Sequence, residues 1–338
     1  MKAISFWNKQ LRAALPQEQL PEAQAYVKRL IENNVPVILG VHHMAYVIDI
    51  SLETLKSMIN RTDMFYYQFT IPKRSGGERQ IAAPYPDLLR AQRWIVDNIL
   101  SSIPVHEPAT AYVRGKSTRD NVLPHIGKKC LLRLDIKDFF PSITINRVIS
   151  IFRKLGYGKK ISYYLASLCC LRDSIPQGAA TSPMISNIIA KRLDRRLLGF
   201  CRVNHLSYTR YADDFTLSGD EINTRTITKI KSIILSEGFS LNDEKTSLVS
   251  GVGRRIVTGI SISSGAPKYP KAQKREVRKD VHFVLKNGLI GQLNYMQSSD
   301  WLLVERLIGK LLYWKMIEPE NPFVNKYLPK MRELSRSF

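Results

Sequence analysis

The 338-residue sequence contains no run of eighteen or more apolar residues, so it offers no candidate membrane-spanning helix. Its first residues, Met1-Lys-Ala-Ile-Ser-Phe-Trp-Asn-Lys9, lack the apolar stretch and small-residue cleavage site of a secretory signal. Cysteine is scarce. The four present (Cys130, Cys169, Cys170, Cys201) form no C-x-x-C pair, and the adjacency of Cys169 and Cys170 suits neither a zinc site nor an easy disulfide. They read as reduced, mostly buried thiols of a cytoplasmic protein. Low-complexity tracts and internal repeats are absent, and 44% hydrophobic residues mark a globular chain. Acid is also in short supply: 29 Asp and Glu stand against 51 Lys and Arg, a net charge of +22. Such an imbalance favours a polyanionic partner. It is concentrated toward the end of the chain, where residues 254–338 carry 16 basic and 7 acidic residues and Lys268–Lys279 is densest.

Against this basic background, the few acids that sit inside apolar segments stand out. Tyr208-Thr-Arg-Tyr-Ala-Asp-Asp-Phe-Thr-Leu-Ser218 places Asp213 and Asp214 between two strand-like halves, the pattern of a hairpin with acids at its tip. Paired acids between apolar runs are unfavourable near a core unless they hold a cation, although many Asp-Asp pairs are solvated turns. Upstream, Cys130-Leu-Leu-Arg-Leu-Asp-Ile-Lys-Asp-Phe-Phe-Pro-Ser142 reads as a buried strand ending in Asp135, 78 residues before Asp213. Two or three Asp converging from two strands would hold the two divalent ions of in-line nucleotidyl transfer, one at the attacking hydroxyl and one at the leaving phosphate.

Tyr211-Ala-Asp-Asp214 resembles the Y-x-D-D signature of reverse transcriptases. Asp135 through Phe140 resembles their strand-borne D-x-x-x-x-F, and Pro176-Gln-Gly-Ala-Ala-Thr-Ser-Pro183 resembles their P-Q-G-x-x-x-S-P. All three occur in the family's order. Asn121-Val-Leu-Pro-His125 is similar to the N-A-x-x-H element of bacterial retron reverse transcriptases, with Val122 in place of Ala, and Val257-Thr-Gly259 matches their V-T-G. The resemblance spans roughly residues 65–265. It implies an α+β right-hand polymerase fold: fingers, an antiparallel-sheet palm backed by helices, and a helical thumb.

The resemblance also implies residue roles. Asp135, Asp213 and Asp214 are the expected ligands of two Mg²⁺ ions, with Asp138 exposed or involved through its backbone. Lys73 and Arg79, on a strand-turn-strand like the family's fingers hairpin, would grip the triphosphate of the incoming dNTP, with Arg74 competing for the role of Lys73. Cations belong there because the leaving pyrophosphate gains charge in the transition state. Phe140 would sit beneath the nucleotide sugar and exclude a 2′-hydroxyl. Phe139 is the better core residue of that pair. Gln177 and Gly178 are expected to open the helix carrying Met184, Ile185, Ile188 and Ile189, with Gln177 touching the nucleotide and Gly178 permitting close backbone approach. Lys245, in Asn242-Asp-Glu-Lys-Thr, is a candidate general acid for the leaving pyrophosphate, or equally a surface turn lysine. Arg255–Ser261 would form the primer grip. The Asn121–His125 element and Val257, Thr258 and Gly259 are implied to help recognise RNA.

Organisation follows from periodicity. Residues 1–64 read as a helical N-terminal segment, with helices over Leu20–Asn33 and Leu52–Asn60 and Ser51 as an N-cap. Residues 65–265 read as fingers and palm, with a helix from Pro86 to Leu100. After Ser263-Ser-Gly-Ala-Pro267, a linker by composition, residues 266–338 read as a basic helical thumb. Trp301, Leu302, Leu303, Leu307, Leu311 and Trp314 suggest its packed bundle.

Three functions compete. The first is a retron-type RNA-directed DNA polymerase, bound to a cognate structured noncoding RNA. It would copy part of that RNA into branched single-stranded DNA from an RNA 2′-hydroxyl, passing through an RNA–DNA hybrid product. The resemblance further implies antiphage defence with a separately encoded effector protein. The second is a group II intron-like or diversity-generating reverse transcriptase; the intron reading expects a maturase region beyond about residue 330. The third is a silent RNA-binding scaffold that sequesters an effector, a reading that leaves the intact acids unexplained.

Overall fold

The computed structural model describes residues 2–73, 76–251 and 253–336. Four α-helices come first, α1 (Lys2–Ala14), α2 (Leu20–Glu32), α3 (Val41–Ile48) and α4 (Leu52–Asn60), followed by strands β1 (Tyr66–Pro72) and β2 (Glu78–Pro84) and helix α5 (Pro86–Asn98). A short α6 (Thr118–Val122) precedes strand β3 (Cys130–Asp135). Helices α7 (Ile145–Lys154), α8 (Lys159–Cys169) and α9 (Ser182–Val203) follow. Then come β4 (Ser207–Tyr211), β5 (Asp214–Gly219), α10 (Thr224–Ser236), β6 (Ser247–Ser250), β7 (Ile256–Val257) and β8 (Ile260–Ser261). Helices α11 (Lys271–Met296), α12 (Leu303–Ile317) and α13 (Pro322–Arg336) end the chain's described structure. The elements form two compact units, each assembled from three stretches of sequence.

The first unit comprises Met1–Tyr112, Ile136–Leu197 and Ile230–Asn242. Its helices are amphipathic: α2 buries Val27 and Leu30, α4 buries Leu55, Met58 and Ile59, and α5 buries Leu88, Ala91, Gln92 and Ile95. Ser51 caps α4, its hydroxyl accepting the Thr54 amide at 3.1 Å. Strands β1 and β2 pair antiparallel from Tyr66↔Pro84 to Pro72↔Glu78.

The second unit comprises Val113–Asp135, Leu198–Lys229 and Asp243–Phe338. Its centre is a four-stranded sheet of order β4-β5-β3-β6, antiparallel at each interface. Strand β3 buries Cys130, Leu131, Leu132, Leu134 and Asp135 and leaves only Arg133 exposed, as a central strand covered on both faces should. One apolar cluster joins Leu131, the β7–β8 hairpin and the inner faces of α11, α12 and α13 around a fully buried Trp314. Leu303, Leu307 and Leu311, spaced four apart on one helix face, are buried in it. Trp301 and Leu302 are not: they precede α12 and are 64% and 65% exposed. All four cysteines are free and buried. No helix among the described residues is long and apolar enough to cross a membrane.

Candidate active site

The acids meet through strand register. Asp135 ends β3 and Asp214 begins β5, and the two are direct cross-strand partners. Neighbours across an antiparallel pair project to the same face, so two carboxylates face each other at one end of the sheet. Asp213 lies one residue earlier, in the two-residue turn that joins Tyr211 to its partner Asp214. The other turn residue, Ala212, has φ 57°, a left-handed conformation that non-glycine residues adopt sparingly and that functional sites retain. Thus the turn, rather than a long loop, fixes where Asp213 points.

Lys245 completes the cluster. Its Nζ donates to both Asp135 carboxylate oxygens, at 3.0 and 3.1 Å. Burial alone would lower its pKa. The bond to Asp135 and the charges of Asp135, Asp213 and Asp214 outweigh it, and the ammonium is held above its ordinary value. The Asp214 pKa is raised too, to about 6, although the residue as a whole is exposed: desolvation of its carboxyl, then repulsion from Asp213 and Asp135, disfavours the charged form, with Lys245 opposing. The site therefore carries three carboxylates against the Lys245 ammonium. Among the described residues, no three His, Cys, Asp or Glu side chains form a ready-made metal cage. Mg²⁺ does not need one, because it binds through one or two carboxylates together with substrate phosphates and water. An all-oxygen donor set in negative surplus, with an ammonium already drawn onto it, fits a hard divalent cation.

Behind this cluster lies a buried polar network. His125 is fully buried, with Nδ1 2.7 Å from the Ser218 hydroxyl and Nε2 2.8 Å from that of Thr209. Thr209 donates its single hydroxyl proton to the Asn121 carbonyl at 3.0 Å, so it accepts from His125. Nε2 is then protonated, and Nδ1 accepts from Ser218. Burial lowers the His125 pKa to about 3, which keeps the ring neutral. The ring thereby ties β4 to β5 within the hairpin that carries Asp213 and Asp214. Asn121 is also fully buried, and its amide reaches the Thr258 hydroxyl at 3.5 Å. An RNA contact by either side chain is closed while it is buried there.

Thr258 and Gly259 form the two-residue turn between β7 and β8, at φ 44° and φ 80°. Positive φ at both central positions matches the right-handed twist of a hairpin. Arg133 holds this hairpin to the sheet, donating to the Ile256 carbonyl at 3.3 Å and to the Ser247 hydroxyl at 3.1 Å. Val257 is buried in the apolar cluster, whereas Gly259 is exposed.

The remaining expected residues belong to the first unit. Lys73 and Arg79 are exposed on the β1–β2 hairpin, Lys73 where the strand ends and Arg79 opposite Ile71. Arg74 lies outside the described residues. The Gln177 carbonyl accepts from the Ala82 amide of β2 at 2.8 Å. Gly178, at φ 115°, lies so close to that strand that a Cβ there would stand 2.5 Å from the Ala82 oxygen. The close approach that selects glycine is thus to the chain's own β2. Nor do Gln177 and Gly178 open a helix: α9 begins at Ser182, after a loop. Phe140 and Phe139 are both buried, with ring centroids 5.6 Å apart. Asp138 is exposed, at φ 48°.

Sequence reasoning missed Gln92. Fully buried, it donates to the Tyr66 hydroxyl at 2.7 Å and to the Leu168 carbonyl at 2.9 Å, and its oxygen accepts the Ala180 amide at 3.0 Å. One side chain therefore fixes β1, α8 and the loop of Gln177. The available signal was an amide on the Leu88–Ala91–Ile95 face of an amphipathic helix.

Residues 71–283 match the family described as reverse transcriptase (RNA-dependent DNA polymerase). The chain is 35% identical to the Retron Ec86 reverse transcriptase of Escherichia coli, over 87% of this chain and 95% of that one. It is 35% identical to the Retron Mx65 reverse transcriptase of Myxococcus xanthus, over 93% and 74%. Among solved structures, it is similar to a telomerase from Candida tropicalis, determined in complex with a fragment of telomeric RNA. That likeness has a TM-score of 0.45 and 15% identity and covers 77% of this chain and 56% of that one. The mixed helical and antiparallel-sheet architecture and the family match agree on an α+β right-hand polymerase fold. The chain belongs to the reverse transcriptases, among them to those of retrons, and is an RNA-directed DNA polymerase.

Proposed function

We propose that this enzyme copies part of a cognate structured noncoding RNA into branched single-stranded DNA, beginning from an RNA 2′-hydroxyl. The observation that carries the catalytic half is the register that sets Asp135 opposite Asp214, with Asp213 in the adjoining turn and Lys245 bonded to Asp135. Reverse transcriptases use divalent metal ions. Here Asp135, Asp213 and Asp214 would hold two Mg²⁺, which supply Lewis acidity at the attacking hydroxyl and charge neutralisation at the leaving phosphate. Lys245 keeps its proton at neutral pH and has it to give to the departing pyrophosphate.

Other roles follow the family pattern. Lys73 and Arg79 bind the dNTP triphosphate, Gln177 touches the nucleotide, and Phe140 excludes ribonucleotides. Gly178 acts by letting its loop lie against β2, the strand of Arg79. Asn121 and His125 serve by positioning the catalytic and β7–β8 hairpins, the latter with Val257, Thr258 and Gly259. In domain terms, residues 1–64 form a helical N-terminal segment, 65–265 the fingers and palm, and 266–338 the thumb. The retron relatives support the branched product; an antiphage role with a separately encoded effector rests on that kinship alone.

The test is extension with dNTPs and Mg²⁺ on RNA from the chain's own locus, beside an Asp213→Ala, Asp214→Ala variant. DNA joined to RNA through a 2′ linkage, absent in the variant, is the expected result. Extension only from an annealed primer would assign another reverse transcriptase subclass. Tight RNA binding without synthesis under any priming would favour a scaffold.

A further inference from the structure

The first unit contains a basic groove that shares no residue with the acid cluster. It encloses about 850 Å³ between α7, α9 and the turn after α10. Helix α7 turns Val148, Ile151 and Phe152 inward. By helical spacing, that leaves Arg147 and Lys154, seven residues apart, on one flank of the groove. Helix α9 supplies Lys191, Arg192 and Arg195 on the other. Five cations thus face one acid, Glu237, which is already engaged: its buried carboxylate pairs with Arg192 at 3.2 Å and with Arg196 at 2.5 Å.

Part of this charge is held in place. Arg147 stacks 4.5 Å from the Phe239 ring centroid and donates to the Glu237 carbonyl at 3.4 Å, so its fork is ordered before any ligand arrives. Lys154, Lys191 and Arg195 have no acidic partner among the described residues. The wall adds hydroxyls, including those of Ser142 and Thr144, over an aliphatic floor, and has no aromatic ring or side-chain amide. Cations and hydroxyls contact phosphate and sugar, whereas stacking needs rings and base-edge reading favours amides.

We propose that this groove binds the phosphodiester backbone of the template RNA without reading its sequence, as a second contact that holds RNA through unit one. It rests on the RNA-directed activity, since that activity requires RNA before any DNA exists.

The test is a Lys154→Gln, Lys191→Gln, Arg195→Gln triple variant. RNA-hairpin affinity is measured over a salt series, with a DNA hairpin of the same sequence in parallel. Thermal melting checks folding, and extension of a short annealed primer–template checks catalysis. Each lost phosphate contact lowers the slope of log affinity against log salt by about 0.7–0.9, so the loss of three should lower the slope by about 2–3. RNA affinity should drop at least tenfold at moderate salt, with short-template extension retained. A fall with RNA supports the proposal whether or not DNA shares it. An unchanged RNA slope, or a fall confined to DNA, overturns it. Loss of short-template extension in wild-type enzyme would instead sink the catalytic reading and leave the slope measurement standing.

Discussion

Lys245 and His125 show how much one side chain decides here. Lys245 spans both oxygens of Asp135, so removing it takes away the ammonium proposed as proton donor and a cation that offsets the carboxylates around it. Lys245→Ala should lower single-turnover nucleotide incorporation by about 10²–10³ at pH 7 while leaving RNA affinity unchanged. Lys245→Arg should recover little, because a guanidinium does not give up its proton. His125 acts on stability. Its folded pKa is near 3, below the ordinary 6.5, so the unfolded chain binds the proton that the folded chain refuses. The contribution is complete above about pH 6.5 and is lost as pH falls toward 3, at up to about 1.4 kcal/mol per pH unit. Denaturant titrations from pH 7 to 4 should therefore show a shallower decline for His125→Gln than for wild type. Equal slopes would mean that another group titrates.

Among the elements, β2 links two parts of the first unit through backbone alone. A methyl group at Gly178 would meet the Ala82 oxygen at 2.5 Å and the Ile81 Cγ2 at 3.0 Å, in a conformation that disfavours any side chain. Gly178→Ala should cost about 1–3 kcal/mol and, by displacing the strand that carries Arg79, raise the KM for dNTPs more than it lowers kcat. Steady-state kinetics with a melting curve separate the two effects. The same contact shows where sequence reading stops. A glycine that needs close approach is legible; which backbone approaches it is a long-range fact, here from residue 82 to residue 178. The strands of the acid cluster were legible because strand-forming runs with embedded acids are local patterns, and so was the Ser51 cap. His125 was not, because Leu-Pro-His looks like a surface loop until Thr209 and Ser218 are seen around it. Trp301 and Leu302 misled for the opposite reason: they continue an apolar run but fall before the first turn of α12.

The whole molecule carries +22, and that surplus lies in both units, in the groove residues of the first and across Lys268–Lys279 of the second. RNA binding should accordingly weaken by several orders of magnitude between low and moderately high salt, with a log–log slope well above that of a few contacts. Filter binding over a salt series measures it. Neither compact unit is a continuous segment of sequence, which is why composition, linkers and charge runs could not trace them. In the proposed mechanism, Asp135, Asp213 and Asp214 hold the metal ions on which the chemistry depends, Lys245 supplies a proton, and the rest of the chain binds and positions. Replacing each of the three acids singly with Asn, and measuring on one primed RNA template both the rate of nucleotide incorporation and the affinity for that template, decides between the outcomes. At least a 10³-fold loss of rate for Asp135→Asn and Asp213→Asn, with template affinity within about twofold of wild type, is the predicted result. Retained incorporation, or a loss of rate matched by an equal loss of template binding, would contradict it.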